Sequence, residues 1–433
     1  MKVSLISLGC SKNLVDSELM LGSLKEAGHS ITTENNADVI VVNTCGFISD
    51  ATKESVNTIV DLLEYKRKGR CKKFIVTGCL VERYAEELKK ELPEVDAFWG
   101  TGNIRAIADI LDPAVVNRGY SSPPGSIYDP DSPRVLTTMP HMAYVKVSEG
   151  CSRVCSFCII PRLRGGMKSR EVVSIAAEAR NLASRGIKEL NLIAQDMTSY
   201  GRDIGTNLEA LLRELRAVDG IEWLRLHYCY PWGFTDSLLE LMAKEEKILS
   251  YIDLPLQHIN DRLLKAMQRG TTTTQIMSLI EKLRGALDDL TLRTTFIVGF
   301  PGETEEEFGE LLDFAEETRF QRLGAFKYSH EEGTRAGELD DSVTDEEKEE
   351  RYERLMELQA DISTAHNEAL IGSRHDAFIE GTEDGSYIAR IPSQAPEVDG
   401  YTFVKANREL RTGDMVRVQI TGADTYDLFA ELA

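Results

Sequence analysis

The sequence contains no run of about 18 apolar residues, the length that a helix needs to cross the hydrocarbon core of a bilayer. We therefore expect no membrane-spanning segment. The opening MKVSLISLGCSKN also lacks the charged start and long apolar stretch of a secretory signal peptide, and its pattern predicts a first β-strand instead. Both absences favour a cytoplasmic protein.

The sequence also has fewer basic than acidic residues. It contains 50 Lys and Arg residues and 71 Asp and Glu residues, so the formal net charge is −21 at pH 7. A protein that holds an RNA backbone usually presents a basic face. The acidic balance therefore favours a basic partner, and ribosomal proteins are among the most basic proteins in a cell. Solubility alone is the more common reason for a large net charge, and it stays an alternative.

Length and composition predict a globular protein of several domains. A chain of 433 residues is too long for one ordinary hydrophobic core, so about two to four domains are expected. The hydrophobic share of 42% and the charged share of 28% are typical of globular proteins. Eight cysteines in a chain of intracellular character favour metal or redox chemistry over disulfide bonds.

Three of these cysteines, Cys151, Cys155 and Cys158, form a compact C-x3-C-x2-C motif. Three thiolates at this spacing can hold an iron–sulfur cluster by three corners and leave one iron free to bind another group. A zinc knuckle and a chance group of buried thiols are the alternatives. Zinc usually needs a second nearby C-x2-C pair or a His pair, and neither follows the motif. The cluster is therefore the favoured interpretation.

This motif, with Phe157 directly before its last cysteine, resembles that of the radical S-adenosylmethionine (radical SAM) enzymes. The resemblance implies that the open iron chelates the amine and carboxylate of SAM and that an electron then cleaves SAM to a 5′-deoxyadenosyl radical. It also implies SAM contacts at Phe157 beside the adenine, at Gln195 near the amine and carboxylate, and at Arg293 near the carboxylate or ribose. A salt bridge at the edge of the core is an equally good interpretation of Arg293.

Three further cysteines occupy equivalent places in the first part of the chain. Apolar runs alternate there with helical patterns, which predicts parallel strands with helical crossovers. The runs are Val3–Leu8, Asp38–Asn43 and Lys73–Thr77. Cys10, Cys45 and Cys79 stand 35 and 34 residues apart, and each falls just past one run. Because parallel strands end along one edge of a sheet, these thiols are expected to meet and to hold a second cluster; buried structural thiols are the alternative.

From residue 141 onward, six strand-like runs alternate with helical patterns, which predicts parallel strands joined by right-handed crossovers. They are Tyr144–Val147, Glu189–Ile193, Trp223–His227, Tyr251–Leu254, Leu292–Val298 and Arg322–Tyr328. Six such units suit an open partial barrel whose function lies on the loops after the strands, and the Cys151 loop follows the first. Beyond about residue 372, five short strands with Gly, Asp and Pro turns predict a small antiparallel barrel.

These patterns divide the chain where its composition changes. We predict an α/β domain over 1–118, a Pro-rich linker or strap over 119–140, an α/β core over 141–366 and the small barrel over 367–433. The barrel carries 12 Asp and Glu residues against 6 Lys and Arg residues, so it suits a basic protein better than RNA. A barrel tuned only for solubility is the plainer alternative.

A few other residues have both a functional and a structural interpretation. Three arginines that flank the motif could neutralise a cluster or bind a carboxylate, but ion pairs with the protein's own carboxylates explain them equally well. They are Arg162, Arg164 and Arg170. We expect Cys229 to be a packing residue, and the basic neighbours of Cys71 are expected to lower the pKa of its thiol. Thr304 and Glu307 form a predicted capping box at the start of a helix.

The whole arrangement resembles the methylthiotransferase family, with three spaced cysteines in an amino-terminal α/β domain, a radical SAM core and a final barrel similar to the TRAM domain. The run GCSKNLVDSE at residues 9–18 further resembles the RimO branch, which modifies an aspartate of the twelfth protein of the small ribosomal subunit. The tRNA-modifying branches typically carry a run of the Gly-Cys-Gln-Met-Asn kind at this place.

The resemblance implies a radical SAM methylthiotransferase with two 4Fe–4S clusters, one on the C-x3-C-x2-C cysteines and one on Cys10, Cys45 and Cys79. One SAM supplies the methyl group, another supplies the radical that removes a hydrogen from the aspartate β-carbon, and flavodoxin or ferredoxin supplies the electron. The substrate is then a basic ribosomal protein, free or in the ribosome. Two alternatives stay open: the same chemistry on an adenosine of tRNA, and a non-enzymatic iron–sulfur scaffold or electron carrier.

Overall fold

The computed structural model describes residues 1–102, 104–111 and 127–433. In these ranges the chain forms a five-stranded sheet, a six-stranded sheet, a closed five-stranded barrel and a two-stranded ribbon. No helix in the same ranges is both long and apolar enough to cross a membrane. The predicted succession of an α/β domain, an α/β core and a small barrel is confirmed.

The amino-terminal sheet is parallel throughout. Its strands are β1 (Lys2–Ser7), β2 (Ser30–Ile31), β3 (Val39–Thr44), β4 (Lys73–Gly78) and β5 (Ala97–Trp99), in the order β2-β1-β3-β4-β5. Its helices are α1 (Ser11–Glu26), α2 (Ser49–Arg67), α3 (Cys79–Glu91) and α4 (Ile107–Ile110). The three predicted strands lie within one residue of β1, β3 and β4. β2 and β5 are too short for a hydrophobic pattern to reveal.

The central sheet is also parallel, and it is open. Its strands are β6 (Met142–Lys146), β9 (Glu189–Ile193), β10 (Trp223–Leu226), β11 (Ile248–Asp253), β12 (Thr291–Val298) and β13 (Arg322–Lys327), in the order β13-β12-β11-β10-β9-β6. The remaining strands of this region, β7 (Ser148–Glu149) and β8 (Lys168–Ser169), form an antiparallel ribbon. All six predicted core strands are present, so the partial (β/α)6 barrel is confirmed.

Eight helices accompany these strands in the described part of the core, and they are α5 (Ile160–Arg164), α6 (Val172–Ser184), α7 (Leu208–Leu215), α8 (Asp236–Lys244), α9 (Asp261–Ala266), α10 (Thr273–Ala286), α11 (Glu305–Thr318) and α12 (Asp345–Ala369). The predicted capping box is confirmed at α11, where the Thr304 hydroxyl accepts from the Glu307 N–H and the Glu307 carboxylate accepts from the Thr304 N–H. α10 and α12 begin with the same device.

The carboxy-terminal barrel closes in the order β14-β15-β16-β18-β17. Its strands are β14 (Arg374–Glu383), β15 (Ser386–Arg390), β16 (Thr402–Lys405), β17 (Met415–Ala423) and β18 (Leu428–Leu432). Four neighbouring pairs are antiparallel as predicted, whereas β16 and β18 are parallel. A ring with an odd number of strands cannot alternate in direction all the way round, so one parallel pair is unavoidable.

The predicted strap over 119–140 falls partly outside the described residues, which resume at residue 127. The described part runs along α1, where the Arg134 guanidinium donates to Glu18 Oε2 at 2.6 Å and the Val135 N–H donates to the Glu18 carbonyl at 3.1 Å. A side chain at Gly22 would overlap the Pro133 carbonyl, so a glycine inside α1 lets the strap approach closely.

Candidate active site

A cavity of about 390 Å³ lies where the carboxyl ends of the two parallel sheets come together. All six cysteines singled out from the sequence border it: Cys10, Cys45, Cys79, Cys151, Cys155 and Cys158. Phe157 and Gln195 border it as well. The strand ends therefore bring together two groups of thiols, here called the amino-terminal triad and the core triad.

The amino-terminal triad sits at three strand-to-helix junctions. Cys10 caps α1, Cys45 directly follows β3, and Cys79 is the first residue of α3. Gly9 has a φ of +86°, and a Cβ there would lie 2.7 Å from the Cys45 Cβ, so only glycine lets the chain pass this close. Asn13 joins the junctions, because its amide donates to the carbonyls after β1 and at the end of β3 at 3.0 Å each.

The core triad lies in a loop whose ends are joined by the β7–β8 ribbon. The Cys151 N–H donates to the Gly165 carbonyl at 3.0 Å, which closes the loop on itself. Two donors point at sulfur, since the Arg153 N–H lies 3.4 Å from Cys151 Sγ and the Arg269 guanidinium lies 3.4 Å from Cys155 Sγ. N–H groups directed at sulfur stabilise thiolates and tune the potential of an iron–sulfur cluster.

Burial disfavours the thiolate form of several of these cysteines. It raises the pKa of Cys45 and Cys151, and it raises the pKa of Cys79 and of Cys158 to about 12. Iron binds the thiolate, so loading of either triad must release protons. Among the described residues, no three His, Cys, Asp or Glu side chains converge on a single-ion position. The six thiols instead border a shared volume, and this soft donor set fits iron–sulfur clusters.

A buried ionic network lies between the triads and joins the two α/β regions. Lys146 Nζ donates to Asp16 Oδ1 at 2.6 Å and to Glu149 Oε2 at 2.5 Å, and Arg164 donates to Asp16 Oδ2 at 2.6 Å. Arg164 also donates to the Asn13 side chain. These charges are almost wholly buried, so each depends on its partners for compensation. Arg164 thus pairs with the protein's own carboxylates.

The three predicted SAM contacts differ in position. Phe157 borders the cavity and packs against a hydrophobic cluster that includes Ile297. The Gln195 amide donates to Glu149 Oε1 at 2.9 Å, while its carbonyl oxygen is buried and has no hydrogen-bond partner among the described residues. Arg293 donates to Asp253 Oδ1 at 2.9 Å and is not among the residues that border the cavity. This ion pair matches the structural interpretation of Arg293, and its role in SAM binding stays a prediction.

The remaining two cysteines are both buried. Cys229 borders the cavity but belongs to the hydrophobic core of the central sheet, and burial raises the pKa of its thiol well above the usual value. Cys71 lies away from the cavity and donates to the Lys73 carbonyl at 3.0 Å. Burial raises the pKa of Cys71, so the predicted lowering is wrong. The charges beside it in sequence point to solvent while the thiol turns inward.

Sequence reasoning did not single out two cavity residues, Lys12 and Tyr228. The Lys12 ammonium lies 2.9 Å from the centroid of the Tyr228 ring. Tyr228 has a φ of +61°, a strained backbone for a non-glycine residue. Lys12 stands inside the GCSKN run, which was available as a signal, whereas nothing in the sequence indicates the left-handed backbone of Tyr228.

Known families match the three regions in chain order. The description "Uncharacterized protein family UPF0004" matches residues 2–100, "Radical SAM superfamily" matches residues 145–315, and "TRAM domain" matches residues 371–433.

Several relatives match over the full length. A protein of Geotalea uraniireducens (strain Rf4) named "Ribosomal protein uS12 methylthiotransferase RimO" is 48% identical, and the alignment covers 100% of this chain and 98% of that protein. A protein of the same name from Anaeromyxobacter sp. (strain K) is 49% identical over 99% of this chain and 92% of its own length. One from Desulforamulus reducens is 47% identical over 100% and 99%.

Solved structures share the fold at low identity. The radical SAM methyltransferase TsrM from Kitasatospora setae, with cobalamin and a 4Fe-4S cluster bound, aligns with a TM-score of 0.55 and 16% identity over 78% of this chain and 77% of its own. The cobalamin-dependent radical SAM enzyme OxsB aligns with a TM-score of 0.50 and 15% identity over 83% and 56%. At these identities the likeness concerns the fold alone.

The fold, the cysteine motif and the matched families together define a radical SAM enzyme with a UPF0004 domain before the core and a TRAM barrel after it. More narrowly, the chain belongs to the RimO family of radical SAM methylthiotransferases. Its cofactors accordingly include an iron–sulfur cluster and SAM. The alternative of a non-enzymatic scaffold is set aside.

Proposed function

We propose that this enzyme replaces a hydrogen on the β-carbon of an aspartate in ribosomal protein uS12 by a methylthio group. The names of the relatives, which are uS12 methylthiotransferases, support the choice of substrate. The observation that carries the proposal is that both cysteine triads border one cavity. A reaction that opens a C–H bond and adds sulfur at the same carbon needs both centres within reach of that carbon.

In this proposal each triad holds one 4Fe–4S cluster. The core triad, Cys151, Cys155 and Cys158, is placed beside SAM, and Cys10, Cys45 and Cys79 hold the auxiliary cluster. When bound, SAM and the clusters would supply the radical and the methyl group and would carry the incoming sulfur, chemistry that side chains cannot supply. A reductant of the flavodoxin or ferredoxin type supplies the electron. The chain itself positions these groups.

Three side chains are proposed to orient SAM. The Gln195 carbonyl oxygen is a buried acceptor that no described residue satisfies, so it can accept from the SAM ammonium group. The Phe157 ring offers an apolar face for the adenine. Arg293 lies on the same strand face as Thr295 and Ile297, which border the cavity, and is placed toward the SAM carboxylate or ribose.

The negative charge of the enzyme supports a basic protein as the substrate. We propose that the reaction takes place in the cytoplasm, on uS12 that is either free or already in the ribosome. The whole chain has a net charge of −21, and the barrel is acidic as well. An acidic surface attracts a basic protein and repels the phosphates of tRNA. We propose domains over 1–118, 141–366 and 367–433. In this division the acidic barrel directly follows, along the chain, the core that carries the core triad.

The substrate is tested by incubating reduced, cluster-loaded enzyme and SAM with recombinant uS12 or with total tRNA. We expect one uS12 peptide to gain the mass of a methylthio group in place of a hydrogen, and tandem mass spectrometry to place the gain on an aspartate. Modified tRNA together with unmodified uS12 would overturn the proposal.

The cluster count is tested with a Cys10/Cys45/Cys79→Ala triple variant. It is expected to lose roughly half of its iron, to keep forming 5′-deoxyadenosine from SAM and to make no methylthio product. Cys71→Ala is the matched control, because it removes a thiol of the same region that lies away from the cavity. A triple variant that keeps all its iron would contradict the assignment.

A further inference from the structure

Lys12 is a cation set in the wall of the active-site cavity. It is only 6% exposed, and its ammonium contacts the face of the Tyr228 ring. None of the described residues offers it a carboxylate in salt-bridge contact, although it lies in the first turn of α1 beside Cys10. A buried ammonium normally pairs with an anion, because desolvation is costly.

The other charged groups of the cavity wall are mostly matched within the protein. Arg153 pairs with Asp196 at 2.7 Å. Lys327 pairs at 2.5 Å with the exposed Glu349, and the buried ionic network contains Arg164. The exception besides Lys12 is Arg269, whose guanidinium donates to a sulfur of the core triad and to a backbone carbonyl. On the side of the amino-terminal triad, Lys12 is therefore the cation left for an incoming anion among the described wall residues.

The local structure works against Lys12 unless an anion arrives. A cation in the first turn of a helix faces the positive end of the helix dipole, and the first turn of α1 contains no acidic residue. The ring beneath it belongs to Tyr228, which is held in a left-handed backbone by an N–H bond of 2.9 Å to Asp253. Such strain persists where surrounding structure enforces it, and it gathers at functional sites.

We propose that the Lys12 ammonium binds the side-chain carboxylate of the target aspartate and so places its β-carbon beside the amino-terminal triad. The inference rests on the proposed function. The carboxylate carbon is bonded to the β-carbon, so a contact to the carboxylate fixes the position of the reacting atom. The Tyr228 ring limits where the ammonium can lie, and a cation–π contact leaves its N–H donors free for the substrate.

The inference is tested with cluster-loaded Lys12→Met and Lys12→Arg variants and with recombinant uS12. Lys12→Met keeps an unbranched side chain of similar length without the charge. We expect it to raise the Kd and the KM for uS12 roughly 10- to 100-fold, the size of a lost charge-assisted hydrogen bond. Iron content, the KM for SAM and the formation of 5′-deoxyadenosine without uS12 are expected to stay unchanged. Lys12→Arg should restore most of the affinity.

Two controls separate this role from the general effect of a lost charge. Lys25→Met removes a cation from the last turn of the same helix and should leave the affinity for uS12 unchanged. The second control needs no enzyme variant. The wild-type enzyme should bind uS12 with its target Asp replaced by Asn more weakly by a factor similar to that of Lys12→Met, and combining both changes should add little further loss.

The outcomes are distinguishable. If the wild-type enzyme does not modify uS12, the proposed function and this inference fall together. If it modifies uS12 but Lys12→Met or the Asn substrate binds as tightly as the original pair, only the inference fails. A raised KM for SAM would assign Lys12 to the SAM carboxylate, and a loss of iron that Lys12→Arg restores would assign it to charge compensation of the cluster; either result overturns the proposal.

Discussion

Gly9 shows how one residue controls whether three thiols can meet. Its φ of +86° turns the chain toward Cys45, and its missing side chain leaves room for the contact. Gly9→Ala would add left-handed strain of about 1 kcal/mol and a Cβ that lies 2.7 Å from the Cys45 Cβ. We expect this variant to lose roughly half its iron while it still cleaves SAM, as measured by iron analysis and 5′-deoxyadenosine yield.

The control for that prediction is Gly28→Ala. Gly28 has a φ of +82°, so alanine there adds a similar strain, but no atom of the residues that the structure describes lies within 4 Å of the added Cβ. It should keep its full iron content. Equal iron in Gly9→Ala and the wild type would show that the close approach at Cys45 is not needed for the auxiliary cluster.

Also at the scale of residues, the sequence predicted the role of the cysteines better than it predicted the surroundings of individual side chains. A cysteine indicates its possible chemistry by its residue type alone. The regular spacing of Cys10, Cys45 and Cys79 after strands was enough to predict that the three thiols meet. The pKa of Cys71 is raised and not lowered, because the linear sequence shows nearby charges but not which side chains are buried. The partner of Lys12 was equally hidden, since Tyr228 lies more than 200 residues away in the sequence.

At the scale of elements, hydrophobic runs located the long parallel strands because a buried strand must be apolar on both faces. The same rule cannot detect β2, with two residues, or the ribbon of β7 and β8, which is polar. Helix α12 is rich in charged residues, a pattern that hides its buried face: Asn367 donates to the carbonyls of Asp424 and Thr425 in the barrel.

The start of α11 offers a test at this scale. Thr304→Ala removes the hydroxyl that accepts from the Glu307 N–H, so we expect a loss of about 1 kcal/mol in the free energy of unfolding. Hydrogen exchange of residues 305–318 should accelerate first. Glu306→Gln alters an exposed side chain in the same turn and is expected to change little; a similar effect of both variants would argue against the cap.

At the scale of the whole molecule, one buried carboxylate ties the barrel to the core. Glu189, at the start of β9, accepts from Arg390 of the barrel at 2.6 Å and from Arg225 at 3.1 Å, and all three side chains are fully buried. Burial alone would raise the pKa of Glu189, but the two guanidinium groups outweigh it and lower the pKa from 4.5 to about 2. The barrel is therefore held in place partly by charge.

Because the folded-state pKa of Glu189 is lowered, its contribution to stability is complete above pH 4.5 and is lost as the pH falls toward about 2. Glu189→Gln removes the charge, which leaves buried Arg225 without a carboxylate and buried Arg390 with Glu380 alone, so we expect a loss of about 3 kcal/mol at pH 7 in urea unfolding followed by tryptophan fluorescence. Trp223 packs on Phe378 of the barrel and reports on docking. The difference in the free energy of unfolding between Glu189→Gln and the wild type should shrink steadily below pH 4.5. The control Glu383→Gln alters an exposed side chain of the barrel and should show no such difference. If the stability lost in Glu189→Gln did not change with pH, shape and not charge would hold the barrel against the core.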